Sequence, residues 1–224
     1  WGPRWIYASD VLACPAALVA ARVSGARLLY HEHDSPDEGS GQPSSFSQWV
    51  RFALWCRRIL ARRADVCVLP NRDRAERFRR LVGDGRSVHV VWNCPRRAEV
   101  APARPPRRDG ALRVYYHGTL NRARLPLSVV QALALLPRDV RLRIAGYETV
   151  GSSGYVVELL EEARRRRVAG RIELRGVVPR YQLLAHCSDC DVGIALLPLA
   201  PRDPNLRHML GASNKVFDYL AGGS

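Results

Sequence analysis

Strand-like and helix-like segments alternate along this 224-residue chain almost without exception, and one proline-rich stretch divides the alternation into two runs. Arg4–Ala8 reads as a strand, and Ala16–Val23 as a helix closed by Gly25. Ala26–His31 is strand-like and enters the polar loop His33–Ser45. A long helix follows, with Phe46, Trp49, Val50, Ala53 and Leu60 at helical spacing. The first run closes with strand Asp65–Leu69, the basic helix Arg74–Leu81 ended by Gly83, and strand Ser87–Trp92. Cys94–Gly110 then carries Pro95, Pro102, Pro105 and Pro106 with several arginines and no apolar periodicity, which is a linker signal.

Beyond the linker the pattern restarts. Strand Leu112–Tyr116, helix Leu127–Leu136 and strand Val140–Ala145 precede a helix over Tyr155–Val168. That helix sets Val156, Leu159, Leu160 and Ala163 opposite an arginine run. Strand Arg171–Leu174, the short helix Tyr181–His186, a buried strand Asp191–Leu197 and a helix from about Asn214 complete the chain. Strands spaced by helices imply parallel sheets covered on both faces. The fold class is therefore α/β, with two Rossmann-like, doubly wound domains: a partial N-terminal one over 1–94, a linker over 95–110, and a truncated C-terminal one over 111–224. Trp1 at the start and a helical pattern broken off at Ser224 read as an internal fragment of a longer protein.

Composition removes several classes. At 47% hydrophobic and 25% charged the chain is neither disordered nor collagen-like, and its longest apolar run, Val11–Ala21, is interrupted by Pro15. The net charge of +14 invites a nucleic-acid partner. However, of 35 basic residues only Lys215 is lysine, and the arginines are scattered, with short runs such as Arg57-Arg58, Arg62-Arg63, Arg79-Arg80 and Arg164–Arg167. No aromatic-interleaved basic stripe or zinc-finger spacing accompanies them, so solvated helix faces are expected and nucleic acid is not. Six scattered cysteines suggest buried thiols in a reducing compartment, hence a cytoplasmic location. Cys187 and Cys190 have no second pair to complete a zinc site.

In open parallel sheets ligands bind beyond the carboxyl ends of the strands. The residues there are His31–Asp34, Pro70-Asn71, Asn93, His117-Gly118-Thr119, Gly146-Tyr147-Glu148, Arg175-Gly176-Val177 and the loop Pro198–Ser213. Gly146–Ser153 has the glycine spacing of a P-loop, but Ser152 stands where the phosphate-binding lysine belongs. The strongest local signal is Ser213-Asn214-Lys215, a small-polar helix start beside the single lysine, with Asp218 one turn on. It suits a diphosphate at the helix start and sugar hydroxyls on the carboxylate; it suits equally an ordinary capped helix with Val216, Phe217 and Leu220 in a core.

Ser213–Gly222 resembles the S/P-N-K-x-x-E-Y-x-A-x-G segment of retaining GT-B glycosyltransferases of family 4. Leu28–Asp34 (LLYHEHD) is similar to that family's vvYDxHE strand and loop, and Leu112–Leu125 (LRVYYHGTLNRARL) to its vxyxGxlxxxKG segment. Asn93 and Ile144-Ala-Gly146 also match in order. The resemblance implies a metal-independent transfer from a UDP- or GDP-sugar, with retention, to a saccharide or lipid-linked acceptor; the nucleotide-sugar is a substrate and no cofactor is implied. It places the active-site histidine on His33, with His31 as the lesser candidate, and the diphosphate grip on Arg124 and Lys215. Gly118, Thr119, Arg122, Gly146, Arg175, Val177, Ser213, Asn214 and Asp218 are its donor-side positions, with Asp218 on the ribose.

Two departures stand out. Thr119 replaces a basic residue, for which Arg122 is the substitute, and Leu210 replaces the first of the family's paired glutamates. A nucleotide-sugar epimerase of the same architecture is the alternative enzyme. A non-catalytic, arginine-rich module for nucleic acid or anionic membrane is the alternative outside enzymes. The aromatic, arginine-ended helix Phe46–Arg63 adds an expected peripheral contact at the inner face of a membrane.

Overall fold

The computed structural model describes residues 2–36, 48–83, 87–100, 110–197 and 203–223. Most of the linker, the greater part of the loop His33–Ser45, Phe46 and the start of the loop Pro198–Ser213 lie outside these. The chain forms two compact units, Trp1–Asn93 with Ala200–Ala212, and Cys94–Leu199 with Ser213–Ser224. The first segment of unit 1 ends at Asn93, next to the expected limit at residue 94, whereas the segment ending at Ala212, read above as part of the C-terminal domain, groups with the first unit. Hydrogen bonds account for that. The Asn205 side chain bridges the Ser35 backbone, and Ala212 O accepts from Asn93 Nδ2 at 2.7 Å.

The first unit runs β1 (Trp5–Ser9), α1 (Asp10–Ser24), β2 (Arg27–His31), α2 (Gln48–Arg63), β3 (Val66–Leu69), α3 (Arg72–Val82) and β4 (Val88–Val90). The four strands are parallel, in the order β1-β2-β3-β4. Gly25 closes α1 in the left-handed conformation at φ +68°, and the Asn71 side chain caps α3 by accepting from Arg74 N. Ala8, Leu28, Tyr30, Leu60, Cys67 and Phe78 form the core.

Inside that core lies a charge that the sequence reads as solvated. Arg57 on α2 is 4% exposed, and its Nε and Nη2 donate to the two oxygens of Glu32 at 2.7 and 3.0 Å. Tyr30 Oη donates to the same carboxylate at 2.7 Å. Alternation along β2 explains the placement: Tyr30 and Glu32 share the inward face, and α2 brings Arg57 over it. The expectation of a solvated Arg57-Arg58 pair is thus corrected at Arg57.

The second unit runs β5 (Arg113–Thr119), α4 (Ser128–Leu135), β6 (Arg141–Tyr147), α5 (Tyr155–Arg165), β7 (Ile172–Gly176), α6 (Arg180–Ser188) and β8 (Val192–Gly193). After the short helix α7 (Pro204–Arg207) in the first unit, α8 (Asn214–Gly222) returns to the second. All pairings are parallel and the order is β7-β6-β5-β8. Adjacent tyrosines on β5 serve opposite faces. Tyr116 packs with Leu133, Ile144 and Leu159, on the side of α4 and α5; Tyr115 packs with Cys187 and Tyr219, on the side of α6 and α8. Helices thus cover both faces of this sheet.

The expected buried strand Asp191–Leu197 shrinks to two paired residues, and Val192, Leu196 and Leu197 are exposed. Gly193 shows why the edge is tight: a β-carbon there would lie 2.2 Å from the Tyr219 ring.

The buried pair sets a stability test. Arg57→Ala strands Glu32 in the core and should destabilise the protein by about 3–5 kcal/mol. Arg62→Ala, on the exposed side of α2, should stay within about 0.5 kcal/mol. At roughly 2–4 °C per kcal/mol for a chain of this size, thermal unfolding separates the two at once.

Candidate functional site

The order β7-β6-β5-β8 reverses at β5, because the chain leaves β5 toward β6 and β7 and later returns to its other side as β8. Such a reversal opens a crevice at the carboxyl end of the strand. Gly118 and Thr119 end β5 there, with Gly146 in register beside Gly118 on β6. Both glycines are required. Gly118 has φ +122°, and a β-carbon on it would come 2.9 Å from Lys215 Nζ; one on Gly146 would come 1.9 Å from Gly118 O. β5, β6 and the first turn of α8 therefore converge on one point.

Lys215 lies at that point, its Nζ 5.5 Å from the centre of the Tyr116 ring. Burial pushes its pKa down to about 8; repulsion from Arg124 adds to the shift and attraction from Asp218 opposes it. At neutral pH it is mostly protonated, and an arriving anion would restore its ordinary basicity. Ser213 makes no side-chain cap bond, so the first N–H groups of α8 keep the positive end of the helix uncapped by it. Asn214, exposed, is the first helical residue. Arg124 stands in the turn after β5, where its N–H donates to Asn121 Oδ1 at 2.8 Å. The structure thus gathers Gly118, Thr119, Arg124, Gly146, Ser213, Asn214 and Lys215 into one electropositive corner.

Other expected residues go elsewhere. Arg122 does not stand in for the missing basic residue at Thr119: its Nη2 pairs with Glu158 of α5 at 2.6 Å, and its side chain is largely exposed. Arg175 pairs with Glu173 on the outer strand β7, two strands from β5, and Val177 is exposed just beyond it. Leu210, in the first unit, is exposed too.

Asp218, assigned to the ribose by the resemblance, is fully buried. Arg180 at the start of α6 grips it, Nη1 donating to Oδ2 at 2.8 Å and Nη2 lying 2.8 Å from Oδ1. The physical reason is reach: an aspartate is one methylene shorter than the family's glutamate, and here it ends at Arg180 below the surface.

Beside it is a histidine the sequence reading did not single out from its strand end. His117 is 3% exposed, and its Nε2 lies 3.6 Å from Asp218 Oδ2 without a hydrogen-bond partner. Burial, then the charges of Lys215 and Arg180, push its pKa down to about 3, so it is neutral. Tyr219 Oη accepts from the His117 N–H and donates to Ile194 O, tying α8 to β5 and to the residue just after β8. Nothing in residue spacing announces Arg180; the position of His117 beside Gly118 is its one signal.

In the first unit, His31 and His33 follow the end of β2 together, ring centres 3.7 Å apart. Tyr7 Oη lies 2.7 Å from His31 Nδ1 and 3.5 Å from His33 Nε2. Burial lowers the His31 pKa and the neighbouring His33 lowers it further, while the Asp10 carboxylate opposes the shift. Arg74, 2% exposed, donates to His33 O at 2.6 Å and to the carbonyls of Asn205 and His208. Among the described residues no group of three His, Cys, Asp or Glu side chains could hold a metal ion.

Residues 1–94 match the family model of the glycosyl transferase 4-like domain. No curated protein sequence matches the chain. Solved structures do. HepE of Anabaena in complex with UDP-glucose is 20% identical, with a TM-score of 0.63, over 93% of this chain and 57% of its own. Sucrose-phosphate synthase from Thermosynechococcus elongatus is 15% identical, with a TM-score of 0.59, over 86% and 50%. The UDP-forming trehalose-phosphate synthase of Burkholderia vietnamiensis is 15% identical, with a TM-score of 0.58, over 98% and 56%. This chain spans about half the length of these proteins and has the α/β, parallel-sheet fold of GT-B glycosyltransferases.

Proposed function

We propose that the full-length protein is a retaining glycosyltransferase of family 4 that moves a hexosyl group from a UDP- or GDP-sugar to a saccharide or lipid-linked acceptor. The observation that carries this reading is the convergence of Gly118, Lys215 and the start of α8 at the reversal point of the second sheet. Lys215, Arg124 and the α8 N–H groups would receive the diphosphate. Their pull grows as the glycosidic bond breaks and negative charge collects on the leaving phosphate. This supplies without a metal the stabilisation a divalent cation gives elsewhere, and the nucleotide-sugar is consumed as substrate, so no cofactor is needed. His33, with His31 against it, is the histidine assigned to the sugar. The UDP and UDP-glucose bound to HepE make UDP the first nucleotide to test.

A reducing, cytoplasmic setting and a peripheral membrane contact belong to the same proposal. No helix among the described residues is long and apolar enough to cross a membrane. However, Trp49, Phe52 and Trp55 on α2 are exposed, their rings 5.7 and 5.9 Å apart in series, and with Val19 of α1 they line a groove of about 980 Å³. Arg51, Arg62 and Arg63 on the same helix are exposed, which matches an anionic lipid surface at about 1 kcal/mol per basic residue.

Two measurements test these readings. Lys215→Ala should weaken UDP binding roughly 10- to 100-fold in calorimetry, the worth of one charge-assisted contact, while leaving the unfolding temperature nearly unchanged. The diphosphate binds the protonated amine. Affinity should therefore be full below about pH 8 and decline above it. Lys215→Arg, charged throughout, should bind without that decline. Equal UDP affinity in Lys215→Ala and the parent would remove the donor site from α8. In liposome flotation the protein should rise with anionic vesicles at low salt and not with neutral ones, and Trp49→Ser with Trp55→Ser should abolish the recovery. Equal recovery on both vesicle types, or none, would remove the membrane contact.

A further inference from the structure

We propose that Asp10 and Tyr7 are the positioning residues of the His31–His33 pair, Asp10 acting on its backbone and Tyr7 on its rings; this rests on the reading of His33 as the sugar-side histidine. Asp10 directly follows β1 and opens α1 with φ +59°, one of two non-glycine residues among those described with a positive φ. A side chain in that region is strained, and such a conformation persists only where its surroundings demand it. Glycine would adopt it at no steric cost, so the side chain must contribute something glycine cannot.

Its contribution is visible. Asp10 Oδ1 accepts the His33 N–H at 2.7 Å and the Asp34 N–H at 3.3 Å. Ser9 pairs with His31 in the β1–β2 register, so Asp10 stands one residue past the paired strand ends and His33 two. One carboxylate oxygen thus takes two consecutive N–H groups and fixes where the chain turns away from the sheet. The left-handed conformation holds that carboxylate at the strand ends.

Tyr7 completes the arrangement from the same strand. Its hydroxyl carries one proton. Donated to His31 Nδ1 at 2.7 Å, it leaves the oxygen to accept from His33 Nε2–H at 3.5 Å. In that chain His33 donates from Nε2 to Tyr7 Oη, and His31 accepts from Tyr7 at Nδ1. Rings with centres 3.7 Å apart, tilted by 34° to each other, have little freedom to exchange roles. The backbone of His33 hangs from Asp10 and its ring from Tyr7. Neither residue needs to touch substrate for its loss to be felt, since misplacing a reacting group by about 1 Å can cost about 100-fold in rate.

The test uses the full-length protein with Asp10→Gly, Asp10→Asn and Tyr7→Phe, read by imidazole nitrogen NMR, by UDP calorimetry and by turnover of UDP-glucose. Asp10→Gly relieves the strained backbone and removes the acceptor. It should keep or raise the unfolding temperature, move the ring signals of both histidines toward solvent values, and lower kcat about 100-fold with UDP affinity unchanged. Asp10→Asn keeps the acceptor oxygen and should restore both the signals and most of kcat. Tyr7→Phe should shift His31 Nδ1 away from its hydrogen-bonded position while the His33 and Asp34 N–H signals stay in place. Parental histidine signals in Asp10→Gly, or a parental kcat, would overturn the proposal. If the parent protein binds no nucleotide and turns over no donor, the glycosyltransferase reading fails, and the NMR arm still decides whether Asp10 and Tyr7 position the pair.

Discussion

Lys215 Nζ comes within 2.9 Å of where a β-carbon on Gly118 would be, and much of the second unit is arranged around that approach. For an amine to come so close to a strand end, the strand must lack a side chain there, which Gly118 provides; Gly146 in turn leaves room for the Gly118 carbonyl. The helix bearing the lysine must then be held against the sheet. Tyr219 does this by hydrogen-bonding to β5 and to Ile194 just after β8, while its ring fills the space above Gly193. Asp218, one turn past Lys215, gives α8 a second attachment through Arg180. These contacts are ordinary packing taken singly; together they leave an ammonium group at the one place where the strand order reverses.

The arginine-rich composition takes on a different meaning once burial is known. A chain of net charge +14 reads as a set of solvated basic faces, yet Arg57 and Arg74 are nearly inaccessible and each is spent on structure. Arg57 is neutralised by Glu32. Arg74 is satisfied by three backbone carbonyls, of His33, Asn205 and His208, so a five-donor guanidinium serves as the knot joining the His33 loop to the segment that ends at Ala212. Lysine, with one nitrogen, could not replace it.

The alternation of strands and helices was legible because each parallel strand in such a fold must be apolar and each crossover amphipathic; those periods survive in a single sequence. Gly25 and Gly83, which close α1 and α3, were legible for the same local reason. What was not legible depends on partners far away in sequence. Helical spacing within α2 sets Arg57 on the face of Ala53 and Leu60, but that a charge can be buried there depends on Glu32, 25 residues earlier. Asp218 was placed on the ribose because its position in the motif is known, but the outcome was decided by Arg180, which no motif includes. The shortened β8 follows from an edge position that apolarity alone does not reveal, and residues 203–212 join the first unit through hydrogen bonds that leave no periodic trace.

The two strand ends carrying the candidate residues solve one problem in opposite ways. At β5 the corner is preorganised by charge: Lys215 is held, partly desolvated and near Arg124, at a pKa of about 8, so the empty protein bears a repulsion that an anion would relieve. At β1 it is preorganised by backbone strain, with Asp10 kept at φ +59° so that one carboxylate oxygen can take the N–H groups of His33 and Asp34. In both places the folded chain holds an unfavourable local arrangement that its own stability does not call for. The cost is tolerable because it is confined to residues at the carboxyl edges, where a ligand would meet them, while the cores beneath, from Tyr30 and Phe78 to Tyr116 and Leu159, remain closely packed.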